Sequence, residues 1–449
     1  MEESREQWSS KIGFILSTAG AAIGLGAIWK FPYVTGMNGG GAFFLIFVLF
    51  TIFIGLPMLI SEFIIGRGAG REAVSAYDHL APKSSWRIIG RLGVIGCFLL
   101  LSFYSVVGGW IVLYSGLSLS GNLITEGANY GAIFDTVTET PWMGLGGLAL
   151  FLLMNVVVLS FGIKNGIEKA SKYLMPLLFI FFIILVARSV TLDGAMEGII
   201  FFLSPDFSNI TGEGVLYALG QSFFSLAVGF SCMVTYSSYL SKKENIPSTA
   251  TSVVSLNILV SLLAGLAIFP VVFAFGLEPT EGPGLLFVVL PTVFSQMAFG
   301  SLFLTLFLLL FLFATITSSF SLLEIIISAL TANGKYTRKK VAIITGIVVF
   351  FASIPAALSF GLLADVSIFG EGIFDATDFL VSNILLPLGC LLISIFISFR
   401  MDQAIVISEF RSGSNLSLGW FKAWRFLMRW IIPVTIVIVF IYSTGLFNS

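Results

Sequence analysis

Charge is what this sequence has least of. Only 10% of its 449 residues are Asp, Glu, Lys or Arg, where a water-soluble domain carries about 25%. Apolar runs recur instead from Ile12 to Leu446. That pattern excludes a soluble globular protein and describes a chain that crosses a bilayer many times. A net charge of −1 leaves no basic surplus for nucleic acid. There is one histidine, His79, in a basic loop, so no histidine triad or zinc site can be assembled. Cysteine is almost as scarce: Cys97, Cys232 and Cys390 each sit inside an apolar run, without metal-binding spacing. They read as small hydrophobes, and no disulfide is expected. No phosphate-cradling glycine loop or spaced Ser/His/Asp set appears, so the chain is not expected to be an enzyme. The start, MEESREQW, is short and charged. No small-residue cleavage site follows the first apolar run, which is expected to be retained as a span.

What is present is a series of runs near the 20 residues needed to span hydrocarbon. Eleven candidates fall at roughly 12–36, 41–66, 88–119, 142–161, 169–188, 215–240, 250–276, 299–331, 340–360, 375–399 and 425–446. We number these segments one to eleven; a twelfth is not expected. Residues 283–297, PGLLFVVLPTVFSQM, are too short and proline-broken to span and read as a helical hairpin outside. Of the 23 Lys and Arg, only Lys30 and Arg188 fall away from one set of alternating loops and the N-terminus. The opposite loops carry Glu126, Asp135, Glu139, Asp193, Glu197, Asp206 and Glu213. This asymmetry places the N-terminus in the cytoplasm and, with eleven spans, the C-terminus outside.

Two spans are interrupted in mid-course. Segment one holds GAAIGLG at 20–26, and segment six holds FFSLAVGFSCM at 223–233. Each opens a group of five spans, and an odd number per group inverts the second group. The expectation is an all-α membrane protein with a 5+5 inverted repeat: residues 1–190, then 191–400, then 401–449 as a loop and last span. Unwound helices at the midplane are the mark of inverted-repeat transporters. Freed backbone groups must face protein, water or ligand. Half-helix N-termini favour anions and bare carbonyls favour cations. Such a site suits a zwitterion with small cations and needs few charged side chains. Glu62, Glu324 and Lys30 are those available in these spans. Small residues packing helices closely would also place glycines here, but two matched interruptions are harder to explain that way.

REQWSSKIGFILSTAGAAIGLGAIWKFPY (5–33), NGGGAF (38–43), GLPMLISEFIIGR (55–67), TYSSYL (235–240) and FATITSS (313–319) resemble the neurotransmitter:sodium symporter family, in its bacterial neutral amino-acid branch. The likeness runs through segments one to ten in order. It implies sodium-coupled symport of neutral, hydrophobic L-amino acids across a bacterial cytoplasmic membrane by alternating access. Proton coupling on the same fold, and a transport-poor amino-acid sensor, stay open as alternatives. One implied sodium site takes the carbonyls of Gly20, Ile23 and Ala314 with the hydroxyls of Thr317 and Ser318. A second takes the Ala22 carbonyl, Ser225, Asn257 and the substrate carboxylate. The family usually has Asn where this chain has Ala27, so one or two sodium ions are expected. The implied substrate pocket is lined by Ala22, Leu25, Gly26, Leu100, Tyr104, Phe224, Ala227, Phe230, Ser319 and Leu322. Tyr104 and the amides near Leu25 and Gly26 hold the carboxylate. The carbonyls of Ala22 and Phe224, with Ser319, hold the ammonium.

Implied gating residues are Lys30 with Asp378 at the outer face and Arg5 with Trp8 at the inner one. Gly166 and Pro176 match a segment-five motif tied to local unwinding. The acidic partner expected for Arg5 is absent, because position 332 is Ala332. Chloride is uncertain: Ser261, with Gln221 and Ser225 nearby, looks like a chloride site, yet Phe47 removes a donor. Glu62 reads as a structural acid on the backbone of segments one and six. The expected partners are an amino acid, sodium and the bilayer, with no nucleic acid, and the chain is expected as a monomer or weak dimer.

Overall fold

The structure, a computed structural model, describes residues 6–124, 128–277, 284–414 and 416–443. Among these, nine helices are long and apolar enough to cross a membrane: Gly41–Ala69, Arg87–Leu119, Pro141–Ser160, Ile163–Ser189, Ile246–Ala274, Gly300–Thr331, Arg338–Leu358, Ile373–Arg400 and Leu418–Ile441. They are segments two to five and seven to eleven. Segment one adds a tenth as a bent pair, Lys11–Ala22 and Gly26–Met37, meeting at 53°. Segment six consists of two helices too short to be counted as spans, Gly212–Ser225 and Cys232–Ser237. Leu285–Ser295 is a short apolar helix, in keeping with the helical reading of 283–297. A two-residue hairpin, Ser367–Ile368 with Glu371–Gly372, is the one sheet among the described residues.

Burial separates the centre from the rim. In its most apolar stretch segment three is 78% buried, whereas segments five and eleven are 28% buried. Their outward faces carry large apolar side chains such as Ile183 and Val434, as lipid contact requires. Glycine allows the close approaches in between. A Cβ on Gly109 would stand 2.5 Å from the Leu148 nitrogen, and one on Gly147 2.6 Å from the Gly109 carbonyl. Segments three and four therefore pack backbone to backbone, as small residues permit in membranes.

Prolines shape the helices in a repeated way. Wide five-residue-ring turns cover Gly26–Lys30, Thr51–Gly55, Leu285–Val289, Leu380–Leu385 and Leu427–Ile431. Each ends two residues before a proline: Pro32, Pro57, Pro291, Pro387 and Pro433. Proline lacks the N–H that would close a normal turn, and its ring crowds the carbonyl four residues back. Widening the turn before it relieves that crowding without breaking the helix.

Candidate substrate and cation site

The first break forms where the segment-one helix stops. Ser10 starts that helix by accepting the Gly13 N–H at 3.1 Å. The last helical bond near its end runs from Ile23 N–H to the Ala19 carbonyl at 2.7 Å. The chain restarts with Ala27 and Ile28 both donating to the Gly24 carbonyl. The second break covers residues 226–231. Ala227, Gly229 and Ser231 all take left-handed backbone angles there, with φ of 50°, 103° and 59°. Two of these are not glycine, so the stretch holds strain that its surroundings must support. Glu62 is one support: fully buried, it accepts the Gly229 N–H at 2.7 Å. Its other carboxylate oxygen has no partner among the described residues. The contact with segment six agrees with the structural reading of Glu62.

The breaks touch each other. A Cβ on Gly26 would lie 2.8 Å from the Phe224 ring and 3.3 Å from Ser225 Cα. The Gln221 side-chain amide donates to the Gly26 carbonyl at 2.6 Å. Segment eight closes one flank. Ser318 donates to the Ala21 carbonyl at 2.9 Å. Gly20 faces Thr317, whose Oγ1 is 3.2 Å from where a Cβ would be. Thr317 in turn reaches the Phe313 and Ala314 carbonyls. Gly24, which the sequence reading passed over, is the tightest point. A Cβ there would meet Ser318 Oγ at 2.5 Å and the Tyr104 hydroxyl at 2.7 Å. Tyr104 donates to the Thr315 carbonyl at 3.1 Å, and its ring is buried. Phe230 packs against Gly96, whose Cβ would come within 2.6 Å of the ring. Leu100 and Leu322 are buried.

Other named residues are spent locally. Asn257 donates to the Ser225 carbonyl at 2.9 Å, and Ser225 Oγ lies 3.3 Å from the Asn257 side-chain oxygen. Ser261 donates to the Asn257 carbonyl. Phe47 belongs to a separate aromatic group with Phe31 and Phe202. Ser319 does not lie free: its hydroxyl stands against the buried side-chain oxygen of Asn155 on segment four. Ala227 is half-buried, and Ala22 and Ile23 are buried. Among the described residues no group of three or more His, Cys, Asp or Glu side chains converges. A cation held here would rest on neutral oxygens, which suits a hard monovalent ion.

Both ends of this region are shut. At the acidic-loop end Lys30 pairs with Asp378 at 3.3 Å and lies 5.0 Å over the Phe224 ring. Ser382 braces Asp378 at 2.6 Å. At the basic-loop end Trp8 plugs the bundle, its indole donating to the Tyr236 carbonyl at 2.9 Å and its backbone N–H to Tyr239. Arg5 lies outside the described residues. The buried acid of segment eight is Glu324. It accepts from the Tyr239 hydroxyl at 2.9 Å and forms a two-pronged pair with Arg338. Glu168 on segment five fastens the N-terminal stretch by accepting from Ser9 and Ser10, and it pairs with Lys172 one turn along its own helix. Segment five is helical through both Gly166 and Pro176, with a wide turn at Ile163–Glu168. Met175, beside Pro176, reaches Gly20. None of Glu324, Arg338, Glu168 or Asn155 was singled out for these roles, since each acts through a partner on another element.

The chain matches the model of the sodium:neurotransmitter symporter family over residues 5–142 and 134–449. It is 52% identical to the uncharacterized sodium-dependent transporter YhdH of Bacillus subtilis, over 100% of this chain and 99% of that one. A sodium-dependent transporter of Haemophilus influenzae is 39% identical, over 98% of both chains. The crystal structure of MhsT in complex with L-phenylalanine superposes with a TM-score of 0.92 at 41% identity, covering 98% of this chain and all of that one. This chain is a member of the sodium:neurotransmitter symporter family, a sodium-dependent membrane transporter.

Proposed function

We propose that this transporter carries a neutral, apolar L-amino acid together with sodium through a site made mainly of main-chain groups between the two breaks. The observation that carries the reading is the meeting of the breaks, Gly26 on Phe224 and Ser225, beside a Gly24–Tyr104–Ser318 contact. Tyr104 and the amides near Leu25 and Gly26 would hold the carboxylate. The carbonyls of Ala22 and Phe224 would hold the ammonium; Phe224 already accepts the Ala227 N–H but has a second lone pair. Ser319 contributes once its hydroxyl leaves Asn155. Leu100, Phe230, Ala227 and Leu322 offer the side chain no charge, and an unpaired charge there would be costly. MhsT binding L-phenylalanine supports an aromatic or large aliphatic cargo.

One sodium would sit among Gly20, Ile23, Ala314, Thr317 and Ser318. A second, weakened by Ala27, would take Ala22, Ser225, Asn257 and the bound carboxylate. Lys30 with Asp378, and Trp8 over Tyr236, would act as the outer and inner closures. Eleven spans, residues 1–190 and 191–400 as inverted halves, and residues 401–449 as an appended loop and span fit this scheme. So does a cytoplasmic N-terminus in a bacterial inner membrane. Sodium assists only by binding one state better than the other.

Purified protein in liposomes tests it. Replacing outside sodium by choline, at a fixed proton gradient, should abolish accumulation. Persistent uptake in choline would establish proton coupling, and binding without any accumulation would establish a sensor. Binding of the twenty amino acids with and without sodium then identifies the cargo.

A further inference from the structure

Cys97 and Cys232 stand with their sulfurs 3.2 Å apart. Both are free thiols, and both are buried. They belong to helices of different character. Cys97 lies inside segment three, unbroken over 33 residues. Cys232 is the first residue of the short helix that follows the second break. Ala227, Gly229 and Ser231, just before it, hold left-handed angles. A few such residues are what lets an element swing. Cys97 is three and seven residues ahead of Leu100 and Tyr104, and so shares their helix face. Phe230, two residues before Cys232, packs on Gly96. The thiols therefore meet beside the candidate pocket, across the seam between a rigid helix and a hinged one. Cys390, the third cysteine, faces Gly229 instead.

We propose that Cys97 and Cys232 form a modification site: a peroxide joins them as a disulfide, which arrests transport with the seam shut, and a dithiol reverses it. The arrest rests on the transport reading above, whereas the bond does not. One sulfur, losing its proton, attacks the peroxide O–O bond and becomes a sulfenic acid, releasing water. The second sulfur displaces that oxygen as a second water. Two thiols and one hydrogen peroxide give one disulfide and two waters, a two-electron oxidation of sulfur matched by reduction of the peroxide. A disulfide spans about 2.0 Å, so the sulfurs approach by roughly 1.2 Å. Rocking of one helix group against the other, the motion such folds use, would then have to break a covalent bond.

The test uses the full chain in liposomes, treated with hydrogen peroxide and then with dithiothreitol. Mass spectrometry should find the Cys97–Cys232 linked peptide after peroxide and lose it after dithiothreitol. Sodium-driven uptake of L-phenylalanine should fall in proportion to the linked fraction and recover on reduction. C97S and C232S should transport before treatment and resist peroxide, while C390S should behave as the unaltered chain. The absence of the linked peptide from transporting protein overturns the proposal, as does linkage with undiminished uptake. Loss of uptake in C97S or C232S equal to that in the unaltered chain also overturns it. Protein that transports nothing before treatment instead counts against the function reading, and the linked peptide is still scored.

Discussion

Gly24 is the residue on which the site geometry turns. Neither its neighbours in sequence nor the family likeness singles it out from Gly20 and Gly26. In the folded chain it has no spare volume, since an added Cβ would overlap both Ser318 Oγ and the Tyr104 hydroxyl. Two polar groups that would meet cation and carboxylate would be pushed apart by a single methyl. Gly24→Ala should therefore weaken amino-acid binding at least tenfold, about 1.4 kcal/mol, with little loss of folded protein. Equilibrium binding of radiolabelled amino acid, beside a thermal melt, checks this. Unchanged affinity would mean that Tyr104 and Ser318 do not share one site. Ser319 shows the opposite limit of residue-level reading. Its hydroxyl was assigned to the ammonium by likeness, yet here it rests on Asn155, 164 positions away in the chain. No local pattern reveals which of two directions a buried hydroxyl takes.

At the scale of helices, one buried carboxylate ties three elements together at the basic-loop end. Glu324 is fully buried, and it joins segment eight to Arg338 at the start of segment nine and to Tyr239 just past the short helix of segment six. Removing one partner of a buried pair costs about 3–5 kcal/mol, because the remaining charge is left unpaired. Arg338→Gln should destabilise the shut arrangement and raise the share of molecules open at that end. The N-terminal stretch would then loosen: Ser9→Cys, placed beside Glu168, should react faster with a membrane-impermeant maleimide in the Arg338→Gln background. Adding Glu324→Gln should restore much of the protection, since no bare charge remains. Equal labelling in all backgrounds would show that this end is held without the Glu324–Arg338 pair, by Trp8 and the Glu168 contacts.

The same scale shows what could be read beforehand. Span positions agree with the helices to within a few residues at most ends, because hydropathy is a one-dimensional signal set by bilayer thickness. Both interruptions were also visible, since the glycines of 20–26 and Gly229 within an apolar run are local signals. Segment six, though, is one run at 215–240 in the sequence but two helices in space, the second only six residues long. The prolines were visible, while the wide turns before them were not: those depend on how each helix absorbs a missing N–H. The likeness implies an acid for Arg5 where the chain has Ala332, and Arg5 lies outside the described residues. Glu324, two turns earlier, is held by Arg338 from beyond the helix end.

Across the whole molecule, segment eight touches the broken backbone at both proposed ligand sites. Gly20 faces Thr317, and one turn further on Gly24 faces Ser318 and Tyr104. Ser318 also bonds Ala21, so segment eight already ties residue 21 to the polar group beside Gly24. Sodium ordering this stretch would set the amides that meet the carboxylate. The coupling must then be reciprocal: sodium raises amino-acid affinity by some factor, and the amino acid raises sodium affinity by the same factor. A factor of ten to a hundred, roughly 1.4–2.7 kcal/mol, is expected for sites sharing a rigid element. Titrating amino acid at several sodium concentrations, and sodium at several amino-acid concentrations, measures both. Each should also raise the melting temperature, with the pair exceeding the separate shifts, because ligands that bind only the folded state stabilise it by mass action. Thr317→Ala should lower sodium affinity and carry amino-acid affinity down with it, whereas at saturating sodium the amino-acid deficit should shrink. A fixed amino-acid deficit at every sodium concentration would mean that Thr317 touches the cargo directly, and that the broken helix does not link the two sites.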